Sequence, residues 1–288
     1  MRLFLTGGTG FVGSYVLAEA LSAGHEVVAL RRSPHSAPVI PLPIEPQWCD
    51  SDLASLEAKQ LQGIEAVLHL ASAGVSPKQV SWNVLLQGNV EGSLHLMHLA
   101  AEVGVRRCVI AGSSHEYGNA ARRYEAIPPD APLEPVNAYG ASKAALFHLA
   151  RVFAVQHRIE LAYGRVFSAY GEGQYEGNFW PSLRRAARCG EDFPMTSGKQ
   201  VTDFMPVAAV ATHLLAACSR PDINADTPLV FNIGSGTATS LLAFANAEWK
   251  RFGATGKLLP GLLPDRPDQI DRYVPDLRGL CIDAPLHS

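Results

Sequence analysis

Short apolar runs alternate with longer stretches of helical periodicity through the first half of the chain. Arg2–Thr6 reads as a strand. Residues 11–23, apolar at helical spacing, read as a helix that Gly24 stops, and Glu26–Arg31 reads as a second strand. Residues 33–46 carry Pro34, Pro38, Pro41, Pro43 and Pro46 and are expected to form a loop. Residues 66–71 (AVLHLA) and 107–112 (RCVIAG) read as buried strands, and 83–103 and 138–155 as long helices. Such alternation predicts an α/β architecture, a parallel sheet with helices on both faces. From Leu161 the regularity weakens: strands are expected at 161–166 and Leu229–Ile233 and a helix at 207–217, with glycine, proline and single aromatics between them. Residues 171–200 and the C-terminus are expected to build a smaller lobe.

The first strand runs directly into TGGTGFVG at 6–13, which opens the first helix. Gly7, Gly10 and Gly13 give the spacing of a phosphate-binding turn. One glycine provides the tight turn, one lets a pyrophosphate approach the backbone, and one lets helix and strand pack closely. The N–H groups of Phe11 and Val12 and the helix dipole favour the anion. The same glycines would also serve a turn without a ligand, but a strand before and a helix after is the context that a dinucleotide site requires. The expected fold is therefore a Rossmann-type, doubly wound parallel sheet. Residues 1–165 form its dinucleotide-binding part, and 166–288 form a substrate lobe interleaved with late strands of the sheet. The second strand ends in Arg31 and Arg32, where an NAD site would place a carboxylate for the ribose 2′-hydroxyl. Two guanidinium groups suit a 2′-phosphate, so NADP(H) is expected in preference to NAD(H); two solvated surface arginines are the alternative.

Tyr139 and Lys143 lie four residues apart on a predicted helix, hence on one face. A phenol has a pKa near ~10, and a neighbouring ammonium favours its ionised form, which is expected to bring it toward the working range of an acid or base. Such a pair is commonly surface and core only. However, Pro135, Val136 and Asn137 lead into the helix start, and the strand at 107–112 ends in Ser113 and Ser114, at the edge of a parallel sheet where ligands bind. Either hydroxyl could hold a substrate oxygen; capping a turn is the other use of such serines.

The formal net charge of −3 over 288 residues points to neither nucleic acid nor a membrane surface as partner. No run reaches the roughly 18 uninterrupted apolar residues of a membrane span, and the apolar start has no cleavage-site pattern. Five scattered cysteines without a C-x-x-C pair suggest a reducing, cytoplasmic setting. Ten histidines include His95 and His98 at helical spacing, but no further donor lies at ligand spacing, so no metal is expected. No G-x-S-x-G elbow suggests acyl hydrolysis. Leucines at 83–103 and 144–149 suit burial against the sheet and could also meet a second copy in a homodimer.

Together these motifs resemble the extended short-chain dehydrogenase/reductase family, the NAD-dependent epimerase/dehydratase group, along nearly the whole chain. TGGTGFVG is similar to that family's cofactor loop. Asp50 resembles its adenine-contacting aspartate, with Asp52-Leu53 as the alternative register. His69, Leu70, Ala71 and Ser72 resemble its HLAA strand end beside the cofactor, and Asn89 to Gly92 its N-x-x-G helix. Ser113, Tyr139 and Lys143 fall where the family keeps its catalytic Ser/Thr, Tyr and Lys. The stretch from Arg165 to Gln174 is similar to R-x-F-N-x-Y-G-P-G-Q, with Ser168 in place of the asparagine. Asn178 and Pro181 resemble N-x-x-P, whose asparagine touches substrate diphosphate. Residues 232–236 and Arg266-Pro267 resemble later substrate-lobe motifs, and Thr202 stands where an arginine usually precedes Asp203-Phe204, leaving more of the phosphate load to Arg266.

The resemblance implies an NAD(P)-dependent enzyme acting on a nucleotide-diphosphate sugar. Where the 4,6-dehydratases carry Thr-Asp-Glu, this chain has Ser113, Ser114 and His115, and Ser-Ser-x-Glu-Tyr-Gly looks more like the NDP-4-keto-6-deoxysugar reductases. The expectation is NADPH-dependent reduction at C4. Tyr139 would give the proton, Lys143 tune it, Ser113 hold the same oxygen, and Ser114, Glu116, Ser168, Asn178 and Arg266 contact substrate. The alternatives are an epimerase with tightly held cofactor and a catalytically silent dinucleotide-binding protein.

Overall fold

The computed structural model describes residues 1–75, 80–265 and 270–280. Seven parallel strands form the main sheet: β1 (Arg2–Thr6), β2 (Glu26–Arg31), β3 (Gln47–Asp50), β4 (Ala66–His69), β5 (Arg107–Ser113), β6 (Glu160–Val166) and β11 (Leu229–Ile233). Their spatial order is β11-β6-β5-β4-β1-β2-β3. The chain winds outward from β1 in both directions, so the crevice for ligands opens at the carboxyl ends of β1 and β4. Helix α1 (Phe11–Ser22) and the late helix α6 (Val207–Ala216) cover one face. The other face is covered by α3 (Gly92–Glu102) and α4 (Ala138–Gln156). Leu3, Leu5, Leu68 and Val109 point into the first apolar layer, and Phe4, Val67, Cys108 and Ile110 into the second. Near-continuous apolar strands are what a sheet buried on both faces requires.

The second half supplies short elements: β7 (Ser168–Tyr170), α5 (Phe179–Cys189), β8 (Phe193–Met195), β9 (Val201–Thr202), β10 (Phe204–Pro206), β12 (Thr239–Ser240), α7 (Leu241–Arg251), β13 (Leu258–Pro260) and β14 (Arg272–Tyr273). Helices α5 and α7 pack around Leu183, Met195, Leu241 and Trp249, a core separate from the sheet layers.

Two local results differ from the periodicity. The stretch 83–103 is not one regular α-helix: α2 (Trp82–Leu85) passes through a π-helical turn at Leu86–Glu91 before α3. An i→i+5 turn inserts one residue and brings Asn89 to Ser142 on α4, a distortion that apolar spacing does not encode. Strand β4 stops at His69 instead of residue 71: the Leu70 N–H is shared between the Thr6 carbonyl and Thr6 Oγ1, each at 3.2 Å, and the Ala71 N–H donates to Thr6 Oγ1 at 3.2 Å.

Candidate active site

The loop after β1 is fitted for close backbone approach. A Cβ on Gly13 would lie 2.0 Å from the Gly7 carbonyl oxygen, and one on Gly7 (φ +77°) 2.6 Å from the Ala71 nitrogen. Helix α1 begins at Gly10 with no side-chain cap and no acidic residue in its first turn, so the leading N–H groups stay open to an anion. These features fit a dinucleotide pyrophosphate lying across Gly7, Gly10, Phe11, Val12 and Gly13. At the far end of that crevice Arg31 pairs with Asp50 at 2.6 Å and stacks on Trp48, with 4.5 Å from guanidinium to ring centroid, while Arg32 is exposed. Asp50 closes β3 opposite Arg31, whereas Asp52 accepts from the Ser55 N–H at 2.8 Å and is committed to a turn.

Beneath this crevice runs a buried polar chain. Thr6 Oγ1 lies 2.7 Å from His69 Nδ1, and His69 Nε2 lies 2.7 Å from Ser93 Oγ. The Ser93 hydroxyl donates to the Asn89 carbonyl at 2.7 Å, so its single proton is used and His69 Nε2–H must donate to Ser93. His69 Nδ1 then accepts from Thr6. The imidazole is neutral, and burial reinforced by Lys143 pushes its pKa down to about 3. Asn89, expected to contact the cofactor, is buried, and its side chain is engaged by protein partners. Its Oδ1 accepts from Ala73 N–H (2.6 Å) and Ser72 Oγ (3.1 Å), and its Nδ2 donates to Ala73 O and to Ser142 Oγ on α4. It ties the Ser72 turn to α4.

Ser113, at the end of β5, and Tyr139 and Lys143, on the first turns of α4, converge beside this turn. The Ser113 and Ser72 side chains lie beside the Tyr139 hydroxyl and favour its ionised form. Asn137 caps α4, accepting from the Gly140 N–H at 2.8 Å, which fixes the helix start that carries Tyr139. Burial raises Tyr139 to about 12, the Ser113 bond lowers it, and the Glu116 charge raises it. That is the reverse of the direction expected from Lys143 alone, because Lys143 is itself buried and held down to about 8 by desolvation, which Glu116 opposes.

Glu116, expected to contact substrate, has its carboxylate turned into the interior. It is fully buried behind Ser113, with Oε1 accepting from the Ser113 N–H (2.8 Å) and the Tyr163 hydroxyl (2.9 Å) and Oε2 from Arg165 Nε (2.7 Å). Its sequence position three residues after Ser113 closes a capping box on the turn Ser114–Glu116, which points the carboxylate inward.

A cavity of about 210 Å³ opens on Tyr139's side of the sheet, lined by Ser114, His115, Val136, Asn137, Ser168, Thr202, Ile270 and Tyr273. Ser168 and Thr202, two of the departures from the family pattern, meet here with their hydroxyls 3.1 Å apart. Substitutions far apart in sequence therefore alter one spot. His115 meets the Tyr139 ring edge-on at 5.8 Å and lies 3.1 Å from the Asn137 amide; the residues showed no signal for this contact beyond their position beside Ser113. Asn178 begins α5 outside the described lining, and Arg266 lies outside the described residues. Asp203 is buried and accepts from Ser235 N–H (2.8 Å), Ser235 Oγ (2.9 Å) and Thr237 N–H (2.9 Å), so the glycine turn at 234–236 is a support for the lobe. Among the described residues no cluster of three His, Cys, Asp or Glu could hold a metal, and no helix is long and apolar enough to cross a membrane.

Known proteins share both the sequence pattern and the fold. The model of the NAD dependent epimerase/dehydratase family matches residues 3–234. A dTDP-6-deoxy-L-talose 4-dehydrogenase (NAD(+)) of Aggregatibacter actinomycetemcomitans is 29% identical, over 84% of this chain and 87% of its own. A UDP-glucose 4-epimerase of Corynebacterium glutamicum is 27% identical, over 84% and 77%. Among solved structures, MoeE5 in complex with UDP-glucuronic acid and NAD superposes with TM-score 0.82 at 30% identity, covering 96% of this chain and 90% of that one. With the glycine turn, the Ser113–Tyr139–Lys143 corner and the sheet order all in place, the chain belongs to the NAD-dependent epimerase/dehydratase family of extended short-chain dehydrogenases/reductases.

Proposed function

We propose that this protein interconverts a ketone and an alcohol at C4 of a nucleotide-diphosphate-linked 6-deoxyhexose, in the reducing direction with NADPH. The observation that carries this reading is the Ser113–Tyr139 hydroxyl pair beside a cavity whose described lining holds no carboxylate. Dehydration needs a carboxylic acid beside the sugar, and Ser114 and His115 do not supply one. A bound nicotinamide supplies the hydride for the carbonyl carbon. Tyr139 gives its hydroxyl proton to the carbonyl oxygen, so that the alcohol forms without net charge change at the sugar. Ser113 holds the same oxygen, and the Lys143 ammonium lies one turn along α4 to stabilise the phenolate left behind. Ser114 and Ser168 face the sugar, and Asn178 and Arg266 take the diphosphate. The A. actinomycetemcomitans relative, named for a 4-dehydrogenase on a 6-deoxy sugar, supports this substrate class.

The preference for NADP(H) rests on Arg31 and Arg32. Arg31 already pairs with Asp50, so a 2′-phosphate must compete for it, and the expected gain is about 1 kcal/mol. Use of NAD(H) is the alternative. Leu149, Val152 and Val155 are exposed on α4 and support pairing with a second copy.

Purified protein with NADPH and a GDP-, CDP- or dTDP-4-keto-6-deoxyhexose is expected to consume one cofactor per sugar, read as loss of nicotinamide absorbance. The UDP-glucose 4-epimerase relatives support a second reading. Interconversion of an NDP-hexose with its C4 epimer at catalytic cofactor levels, with no 4-keto sugar consuming NADPH, would establish that reading and overturn the first.

A further inference from the structure

The Glu116–Arg165 pair is a charged network behind Ser113, Tyr139 and Lys143, and the reaction as described makes no use of it. Both side chains are essentially sealed from solvent, at 0% and 1% exposure. The pair is oriented. Its negative end accepts from the Ser113 N–H and from the Tyr163 hydroxyl, which also lies 3.2 Å from the Lys143 carbonyl oxygen. Its positive end is turned away, with the guanidinium 4.3 Å from the Phe147 ring centroid and 4.9 Å from that of Tyr117. Arg165 Nη1 donates to Pro129 O at 2.9 Å, while Nη2 is buried with no hydrogen-bond partner among the described residues. Space for the carboxylate exists because residue 112 is glycine: a Cβ there would meet the Tyr163 ring at 2.3 Å and Glu116 Oε1 at 2.8 Å.

A buried ion pair is a poor source of stability, since desolvation consumes most of its Coulomb attraction. An oriented one leaves a field. We propose that Glu116 is a positioning residue of the catalytic centre: its carboxylate anchors the Ser113 backbone and places a fixed negative charge behind Tyr139 and Lys143. This rests on the reading of those three residues as catalytic groups. The charge favours the Lys143 ammonium over the neutral amine and the Tyr139 phenol over the phenolate. A higher phenol pKa makes Tyr139 a more reluctant proton donor, and the same charge keeps Lys143 in the ammonium form that stabilises the phenolate left behind. The charged and titratable groups around Lys143 are His69 on β4, Glu116 after β5, Tyr139 on its own helix, and Tyr163 and Arg165 on β6. His69 is held neutral by burial and by the Lys143 charge. Consistently, Glu116 raises both Lys143 and Tyr139 against or beyond the effect of burial.

The test reads Lys143 directly and needs no sugar turnover. Protein with lysine labelled at the ε-carbon is titrated by NMR in the NADP+ complex, and the Lys143 signal is identified by its loss in Lys143→Met. Glu116→Gln keeps an acceptor for Ser113 and removes the charge; its Lys143 midpoint is expected to fall by about one pH unit from about 8. An unchanged or raised midpoint in folded protein overturns the proposal. Glu116→Gln also turns an amide toward Arg165, so Tyr163→Phe serves if that variant does not fold. Loss of the phenol's hydrogen bond leaves the carboxylate less neutralised, and the Lys143 midpoint should rise; no rise overturns the proposal. A shift as expected in a protein that reduces no 4-keto sugar would leave Glu116 in its role and remove the proposed substrate instead.

Discussion

Two buried polar networks meet at Tyr139, and they are built on opposite principles. The first, Thr6–His69–Ser93–Asn89, is neutral throughout and reaches the phenol through Ser72, which Asn89 holds. The second, Arg165–Glu116, is charged and reaches it through Ser113. The neutral chain satisfies each donor in turn, and its effect is geometric: it locks the β4 end, the Ser72 turn and α4 into one unit. The charged pair leaves a guanidinium nitrogen unsatisfied, and its effect is electrostatic. The difference shows how one fold can separate the placement of a catalytic group from the tuning of its proton.

The largest test of that contrast is removal of one charge. Arg165→Met strands Glu116 in the interior, and urea unfolding is expected to show a loss of about 3–5 kcal/mol. A loss below about 1 kcal/mol would mean that water reaches the pair and that it exerts little field. Tyr139→Phe removes the junction itself. Turnover should fall by about 10²-fold or more, while NADPH affinity and melting temperature stay close to the parent's. Retained activity would place the proton donor elsewhere.

Thr6→Val keeps the shape of the neutral chain but removes the donor to His69 and the acceptor for Leu70 and Ala71, at an expected cost of about 1–2 kcal/mol. That network also has a pH signature. Because the folded protein holds His69 at about 3 while the unfolded chain titrates near 6.5, the unfolded state binds more protons between those values. The His69 contribution is thus complete above about 6.5 and lost as pH falls toward 3. His69→Gln should flatten this part of the unfolding profile, and an unaltered slope would mean that the imidazole is not held neutral. The smallest effect is expected outside both networks. Arg32→Ala should weaken NADPH binding by about 1 kcal/mol in calorimetry and leave NADH unchanged; equal losses for both cofactors would mean that Arg32 does not read the 2′-phosphate.

Legibility in the sequence follows the range of the interactions involved. Strands β1, β2, β5, β6 and β11 and helices α1, α4 and α6 could be read from periodicity because each buries a repeating face against one layer. The glycine turn was legible because its constraint lies within eight consecutive residues, and the Tyr139/Lys143 pair because one helical turn sets its geometry. Strand β3 and the helices α5 and α7 escaped: β3 is four residues at a half-covered sheet edge, and the helices pack in a small core of mixed aromatics.

Local spacing, then, determined the parallel sheet, the glycine turn after β1 and the placement of Tyr139 and Lys143 on one helix face. Only tertiary structure decided what Glu116 and Asn89 are for. Their motif positions suggested ligands, but the capping turn at Ser114–Glu116 and the π-helical turn at Leu86–Glu91 direct both side chains inward. Their partners there are Arg165, Tyr163, Ala73 and Ser142, from 16 to 53 residues away in the chain. A buried polar group takes its role from whichever partner satisfies it, and that partner is chosen by folding across the sheet.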